Sequence, residues 1–172
     1  IDIDLNSIEV SIEDRYAINN MKDNKLLFLD KSLENIFNIE IILKVFPNAK
    51  FIHTKRNIKD AILSIYFSML PELSWTLSLK NISNYVSNYQ DTIFYFKKKF
   101  PNKIYDVDLD QFTSNVVEVS KDLFKFCELN WDDEILNFYK RQDLFSKTIS
   151  SSQIRQEISQ KHKSSYNKYY FL

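Results

Sequence analysis

The residue types with the greatest chemical reach lie at 51–64, which read Phe-Ile-His-Thr-Lys-Arg-Asn-Ile-Lys-Asp-Ala-Ile-Leu-Ser. Lys55 and Arg56 leave the carboxyl end of a short apolar run. In open α/β sheets that is where ligands bind. Ser64 follows eight residues after the arginine. A guanidinium gives a forked, charge-assisted contact and a hydroxyl a further donor, so the two can converge on one phosphate. Read for structure alone, the same residues are a solvated basic pair and a helix serine bonded to its own backbone.

Other reactive groups are few. Cys127 is the sole cysteine, which excludes an internal disulfide and a cysteine-built zinc site. His53 and His162 are the only histidines, and His53, inside an apolar run, reads as a satisfied structural histidine rather than a base. Asp106, Asp108 and Asp110 alternate along one segment but are a weak hard-cation signal, and no metal is expected. Glu13 and Asp14 lack any motif around them and read as solvated carboxylates.

The 172 residues contain no glycine. That excludes a Walker-type phosphate loop, a Rossmann fingerprint and a nucleophile elbow within this chain, because each needs glycine to bring backbone close to ligand. Any nucleotide must be held by side chains and helix ends. Basic and acidic residues balance at 23 each, so no global field draws the chain to nucleic acid or an anionic membrane. No apolar run approaches the ~20 residues of a membrane span.

The elements that must position these groups follow from periodicity. Short apolar runs at 25–29, 49–54 and 103–107 predict buried parallel strands. Helical spacing predicts helices over 33–46, 57–70, 74–100, 115–129 and 133–139, with Asn57 as a cap and Pro47, Pro71 and Pro101 as stops. Strands alternating with helices predict an α/β fold with a parallel sheet flanked by helices. The expectation is a single domain over 1–172, with a poorly defined segment at 1–25, an α/β core at 26–145 and a C-terminal tail at 146–172.

Residues 50–67 resemble the 3′-phosphate-binding segment of the sulfotransferases that use 3′-phosphoadenosine 5′-phosphosulfate (PAPS). That segment reads approximately apolar-Ile-His-x-Arg-Arg-Asp-Pro-x-Asp-x-x-x-Ser-x-Tyr-Phe. Arg56, Asp60 and Ser64 match it, while Lys55, Asn57 and Ile58 depart from it. Asp30-Lys31-Ser32-Leu33-Glu34-Asn35 and Phe46-Pro47-Asn48-Ala49-Lys50 are similar to the family's Asp-Lys-x-Pro-x-Asn and Phe-Pro-Asn-Ala-Lys. Phe126-Cys127-Glu128-Leu129-Asn130-Trp131-Asp132 is similar to Phe-Cys-Gly-Leu-Pro-Trp-Asp. Ser150 to Gln156, with Tyr166 and Tyr169, resembles the C-terminal Ser-x-x-Gln-Val segment and its aromatic pair. The motifs cover about residues 26–170 and are most similar to a bacterial tetratricopeptide-associated and tyrosylprotein sulfotransferase branch.

The resemblance implies a P-loop-type sulfotransferase fold and transfer of a sulfuryl group from PAPS to a hydroxyl acceptor, without metal. It implies that Arg56 and Ser64 bind the 3′-phosphate and that Lys31, at a strand end, and Ser150 lie near the transferring group. A basic residue of the C-terminal loop also reaches that phosphate in the family. Ser165 stands at its position, which leaves Lys163 or Lys161 to take the contact. Leu109 replaces a tyrosine often near the donor.

Nothing in residues 1–25 resembles the family's glycine-containing 5′-phosphosulfate loop, and the chain begins at Ile1 rather than methionine. The expectation is an N-terminally incomplete or processed chain with weak nucleotide binding and no turnover. The alternative is a non-catalytic sulfotransferase-fold binding or assembly module. A cytoplasmic bacterial protein is expected, with no nucleic-acid partner; loss of the family's first strand would expose a sheet edge or an apolar face that invites pairing into a homo-oligomer.

Overall fold

Ser32 opens the first element by accepting the backbone N–H of Glu34 on its hydroxyl at 3.4 Å. The computed structural model describes Leu27, residues 29–141, 155–158 and 165–169. These divide into two compact units.

The first unit comprises described residues up to Lys50 together with Ser87–Lys103. A 3-10 helix, Leu33–Asn38, runs directly into α1, Ile39–Val45. At the junction the Asn38 amide donates to the Glu34 carbonyl at 3.0 Å. A side chain that takes a helical carbonyl competes with the backbone ladder, which accounts for the change of pitch. Among the described residues of this unit the buried apolar ones are Ile36, Ile39, Val45, Ile93 and Phe96. Pro47 ends the helix as expected, and the Lys103 ammonium donates to its carbonyl at 2.6 Å.

Lys99 donates to Glu40 at 2.8 Å, and this bond holds the Glu40 carboxyl below its usual range and Lys99 above its own. A lowered carboxylate pKa gives stability that is present above the unfolded value and lost as pH falls through the folded one. Both side chains are well exposed, so the pair is screened by solvent. Glu40→Gln is expected to leave the melting temperature at neutral pH unchanged within error.

The run at 25–29 differs from expectation. Leu27 and Leu29 lie outside any strand and are 61% and 83% exposed. Residues 25, 26 and 28 lie outside the described residues. An apolar run signals a demand for burial, but a parallel strand also needs a hydrogen-bonded neighbour. The described part of this run has none.

The second unit comprises Phe51–Val86 and the described residues from Ile104 onward. Strands β1, Phe51–Lys55, and β2, Ile104–Asp108, pair in parallel, with Phe51 opposite Ile104 and Lys55 opposite Asp108. They are the two strands among the described residues. From β1 the chain runs through α2, Ile58–Ser68, a 3-10 helix, Ser74–Leu77, and α3, Leu79–Lys99. The start of α3 belongs to this unit and its end to the first.

The single helix expected over 74–100 is therefore two elements. Thr76 is fully buried, and its hydroxyl donates to the carbonyls of Leu73 at 2.7 Å and Leu70 at 3.1 Å. These bonds fix a turn after Pro71. Ser78 is extended and its carbonyl accepts from Ile82, so the helix starts afresh there. Ile82 is fully buried, and Trp75 stacks on Tyr85 with centroids 4.0 Å apart.

After β2, Asp108 accepts the N–H groups of Asp110 at 3.0 Å and Gln111 at 3.2 Å. This caps α4, Leu109–Ser114, a helix absent from the sequence expectation. Helix α5, Val116–Phe126, follows, and its Phe126 ring stacks on Tyr105 of β2 at 5.1 Å.

Helix α5 closes with Leu129 N–H on the Phe124 carbonyl and Glu128 N–H on that of Lys125. That is the Schellman pattern, whose left-handed residue is usually glycine. Here it is Glu128, at φ 59°, where the family motif has glycine. A left-handed non-glycine residue costs roughly 1–2 kcal/mol. Glu128→Gly is expected to stabilise the chain by about 1 kcal/mol, raising the melting temperature by roughly 2–4 °C. Thermal denaturation followed by circular dichroism checks this.

Candidate functional site

The site is built on the turn from β1 into α2. Arg56 is half-buried and follows the strand directly. Asn57 then caps the helix, its side-chain oxygen accepting the N–H groups of Lys59 at 2.9 Å and Asp60 at 3.4 Å. Two of the first-turn donors are thereby used. An anion at this helix start must be held chiefly by side chains, in keeping with a chain that has no glycine. Asn57 does the work expected of a capping aspartate, so that departure from the motif leaves local structure intact.

Ser64 is exposed on α2, two turns beyond the cap. Arg56 and Ser64 thus lie on contiguous elements of one unit. Asp60, Ser64 and Phe67 fall at i, i+4 and i+7, the spacing of a single helix face.

That face receives the C-terminal segment. Asp60 is only 3% exposed, and its carboxylate accepts the backbone N–H of Tyr166 at 2.8 Å. The Lys59 ammonium lies over the Tyr166 ring, 5.4 Å from its centroid. One turn beyond Ser64, the Phe67 ring meets Tyr169 at 4.9 Å. The short 3-10 helix Ser165–Tyr169 is therefore fastened to α2 on both sides of Ser64.

On the sheet, His53 Nδ1 bonds Asp106 Oδ1 at 2.8 Å across the β1–β2 register. Lys55 reaches the other oxygen of Asp106 at 3.6 Å. His53 is largely buried and engaged, as a structural histidine should be. Asp106 and Asp108 are occupied by this pair and by the α4 cap. Among the described residues no group of three His, Cys, Asp or Glu side chains could hold a metal ion. No described helix is long and apolar enough to cross a membrane.

Lys31 belongs to the first unit, exposed in the segment before Ser32. The described residues just before it, Leu27, Leu29 and Asp30, are not strand. Its motif is nevertheless organised: the Asn35 amide donates to Asp30 at 3.0 Å, and the Ser32 cap lies between them. The motif's aspartate and asparagine thus clasp the turn that carries the lysine. Ser150 and Lys163 lie outside the described residues, as does Lys161. Sequence reasoning matched Asp60 to the motif without giving it a task. The signal was there: one turn before Ser64 stands the single acidic residue of a helix whose only other charged residue is Lys59. Asp108 had a signal too, since Asp followed three residues later by Gln is a capping-box pattern.

The chain matches the family model described as "Sulfotransferase family" over residues 5–133. The match begins upstream of the first motif singled out in the sequence and stops before the C-terminal segment. An uncharacterized protein of Aquifex aeolicus (strain VF5) is 34% identical over 134 residues, covering 76% of this chain and 18% of that relative. The chain therefore spans less than a fifth of the relative's length.

Proposed function

Since the chain belongs to the sulfotransferase family, we propose that it uses PAPS as sulfuryl donor toward a hydroxyl acceptor and that Arg56 and Ser64 hold the donor's 3′-phosphate. The observation that carries this reading is the half-buried arginine at the carboxyl end of β1, followed by a helix that carries Ser64 on the face where the C-terminal segment docks. A guanidinium and a hydroxyl suit a phosphate dianion, and the side-chain cap on α2 agrees with recognition by side chains rather than bare backbone.

Bound PAPS would supply an activated sulfuryl group. The chain's part is to position it and to neutralise charge that grows on the leaving oxygen. In this proposal Lys31 and Ser150 serve that second task, and Lys163 adds charge at the 3′-phosphate. The asparagine–aspartate clasp around Lys31 supports a role that needs a fixed lysine.

Calorimetric titration with 3′-phosphoadenosine 5′-phosphate (PAP), and in parallel with adenosine 5′-phosphate, tests the site. A phosphate-reading arginine predicts a preference for PAP of at least about tenfold. Equal affinity for the two nucleotides would sink the reading.

A further inference from the structure

The first unit is apolar on two sides. In the 3-10 helix and α1, Ile36, Ile39 and Val45 are buried, whereas Leu33, Phe37 and Ile41 are 52%, 42% and 55% exposed. The end of α3 repeats the pattern. Ile93 and Phe96 are buried, and Phe94 and Tyr95 between them are 61% and 53% exposed. A helix that packs on its own core needs one apolar face. A second, exposed one marks a surface that meets something else.

Lys99 joins the two exposed sides. Its ammonium donates to Glu40 on α1 at 2.8 Å and to the Tyr95 hydroxyl at 3.2 Å. Both members of the Lys99–Glu40 pair are exposed, so the bridge lies at the surface. The exposed apolar groups beside it on each helix therefore form one patch. That patch is also basic. The Lys98 ammonium stands 4.3 Å from the centroid of the Phe94 ring. Lys44 is exposed one turn beyond Glu40, near enough to help hold its carboxyl below the usual range. Lys97 shares the last turn of α3 with Lys98 and Lys99. Glu40, the carboxylate among them, is taken by Lys99. Glu34 and Asp91 stand about two turns back along their helices.

We propose that this patch rests on an anionic lipid surface, with Ile41, Phe94 and Tyr95 entering the boundary between headgroups and acyl chains and Lys44 and Lys98 meeting the lipid phosphates. Charge complementarity selects the occupant. Lysine stems run along apolar surface while their ammonium groups stay in a polar layer, and aromatic rings favour the same depth. A headgroup interface thus satisfies both kinds of group at once. A second copy in a symmetric contact would bring the same lysines against one another. An acidic peptide would answer the lysines and leave the rings in water. The chain as a whole is neutral, so the attraction is local and acts within a Debye length of the membrane. It needs no membrane-spanning helix. Arg56 and Ser64 belong to the other unit, so this surface stands or falls apart from the phosphate pair.

The test is sedimentation of the full chain with vesicles of phosphatidylcholine alone and of equal parts phosphatidylcholine and phosphatidylglycerol. The wild-type chain should bind the mixed vesicles at least about tenfold more tightly than the neutral ones. Phe94→Ala should lower that affinity about tenfold by losing ring area that lipid would bury, and the Lys44→Ala/Lys98→Ala variant about tenfold by losing charge. All are exposed positions. Phe94→Trp and Lys44→Arg/Lys98→Arg should bind as the wild type does, which separates loss of contact from loss of fold. No binding to the mixed vesicles, or equal binding to both kinds, would overturn the proposal. Binding that Phe94→Ala leaves unchanged would be adsorption of charge alone and would overturn it as well. Dimerisation in analytical ultracentrifugation without lipid, lost in Phe94→Ala, would give the patch to a second copy instead.

Discussion

Arg56→Ala is expected to lower the affinity of the chain for PAP by about 10- to 100-fold and to abolish its preference over adenosine 5′-phosphate. The size follows from the chemistry. A hydrogen bond to a charged group contributes roughly 1.5–3 kcal/mol, and each 1.4 kcal/mol is about tenfold in affinity. Arg56 is half-buried, so its contact with a phosphate is screened less by salt than that of a surface lysine. Arg56→Lys keeps the charge and loses the fork, and should recover only part of the affinity. Isothermal calorimetry at two salt concentrations separates the general charge from the specific contact. An alanine variant that binds PAP as the wild type does would remove Arg56 from the site.

The second large effect is on the fold. Asp60→Ala is expected to cost about 2 kcal/mol, since it removes a buried charged acceptor and leaves the part-buried N–H of Tyr166 without it. For a chain of this size that corresponds to a melting temperature lower by roughly 4–8 °C. Asp60→Asn keeps an acceptor oxygen and should lose less. Because the acceptor secures a terminal segment, the damage should also be local. Tryptic cleavage after Lys168 should accelerate in Asp60→Ala under conditions in which β1 and β2 remain intact. Unchanged melting and unchanged cleavage would show that the carboxylate does not secure the segment.

The elements with strong periodic or stop signals were legible in the sequence. Strands β1 and β2, helix α2 with its Asn57 cap, and the end of α1 at Pro47 all stand within a few residues of where spacing and proline put them. What was not legible depended on partners far along the chain or on side-chain bonds to backbone. The break at Ser78 comes from Thr76 bonding two carbonyls, which helical spacing alone does not reveal. Exposure of Leu27 and Leu29 depends on whether a neighbouring strand is present. At the candidate site, Arg56 and Ser64 were found from residue type and spacing. The task of Asp60 was not, because its partner is a backbone N–H 106 residues away, and any residue but proline supplies one.

That separation has a kinetic side. The His53–Asp106 bond spans 53 residues and the Asp60–Tyr166 bond spans 106. The entropy of closing a loop grows only slowly with its length, by roughly 0.6 kcal/mol per doubling. Once β1 and β2 have paired, a little under half of the longer loop is already drawn in, and fastening the C-terminal segment closes what remains. The second unit is therefore expected to assemble in sequence, sheet before clasp, and to open in the reverse order. The contacts that flank Ser64 would form last and let go first.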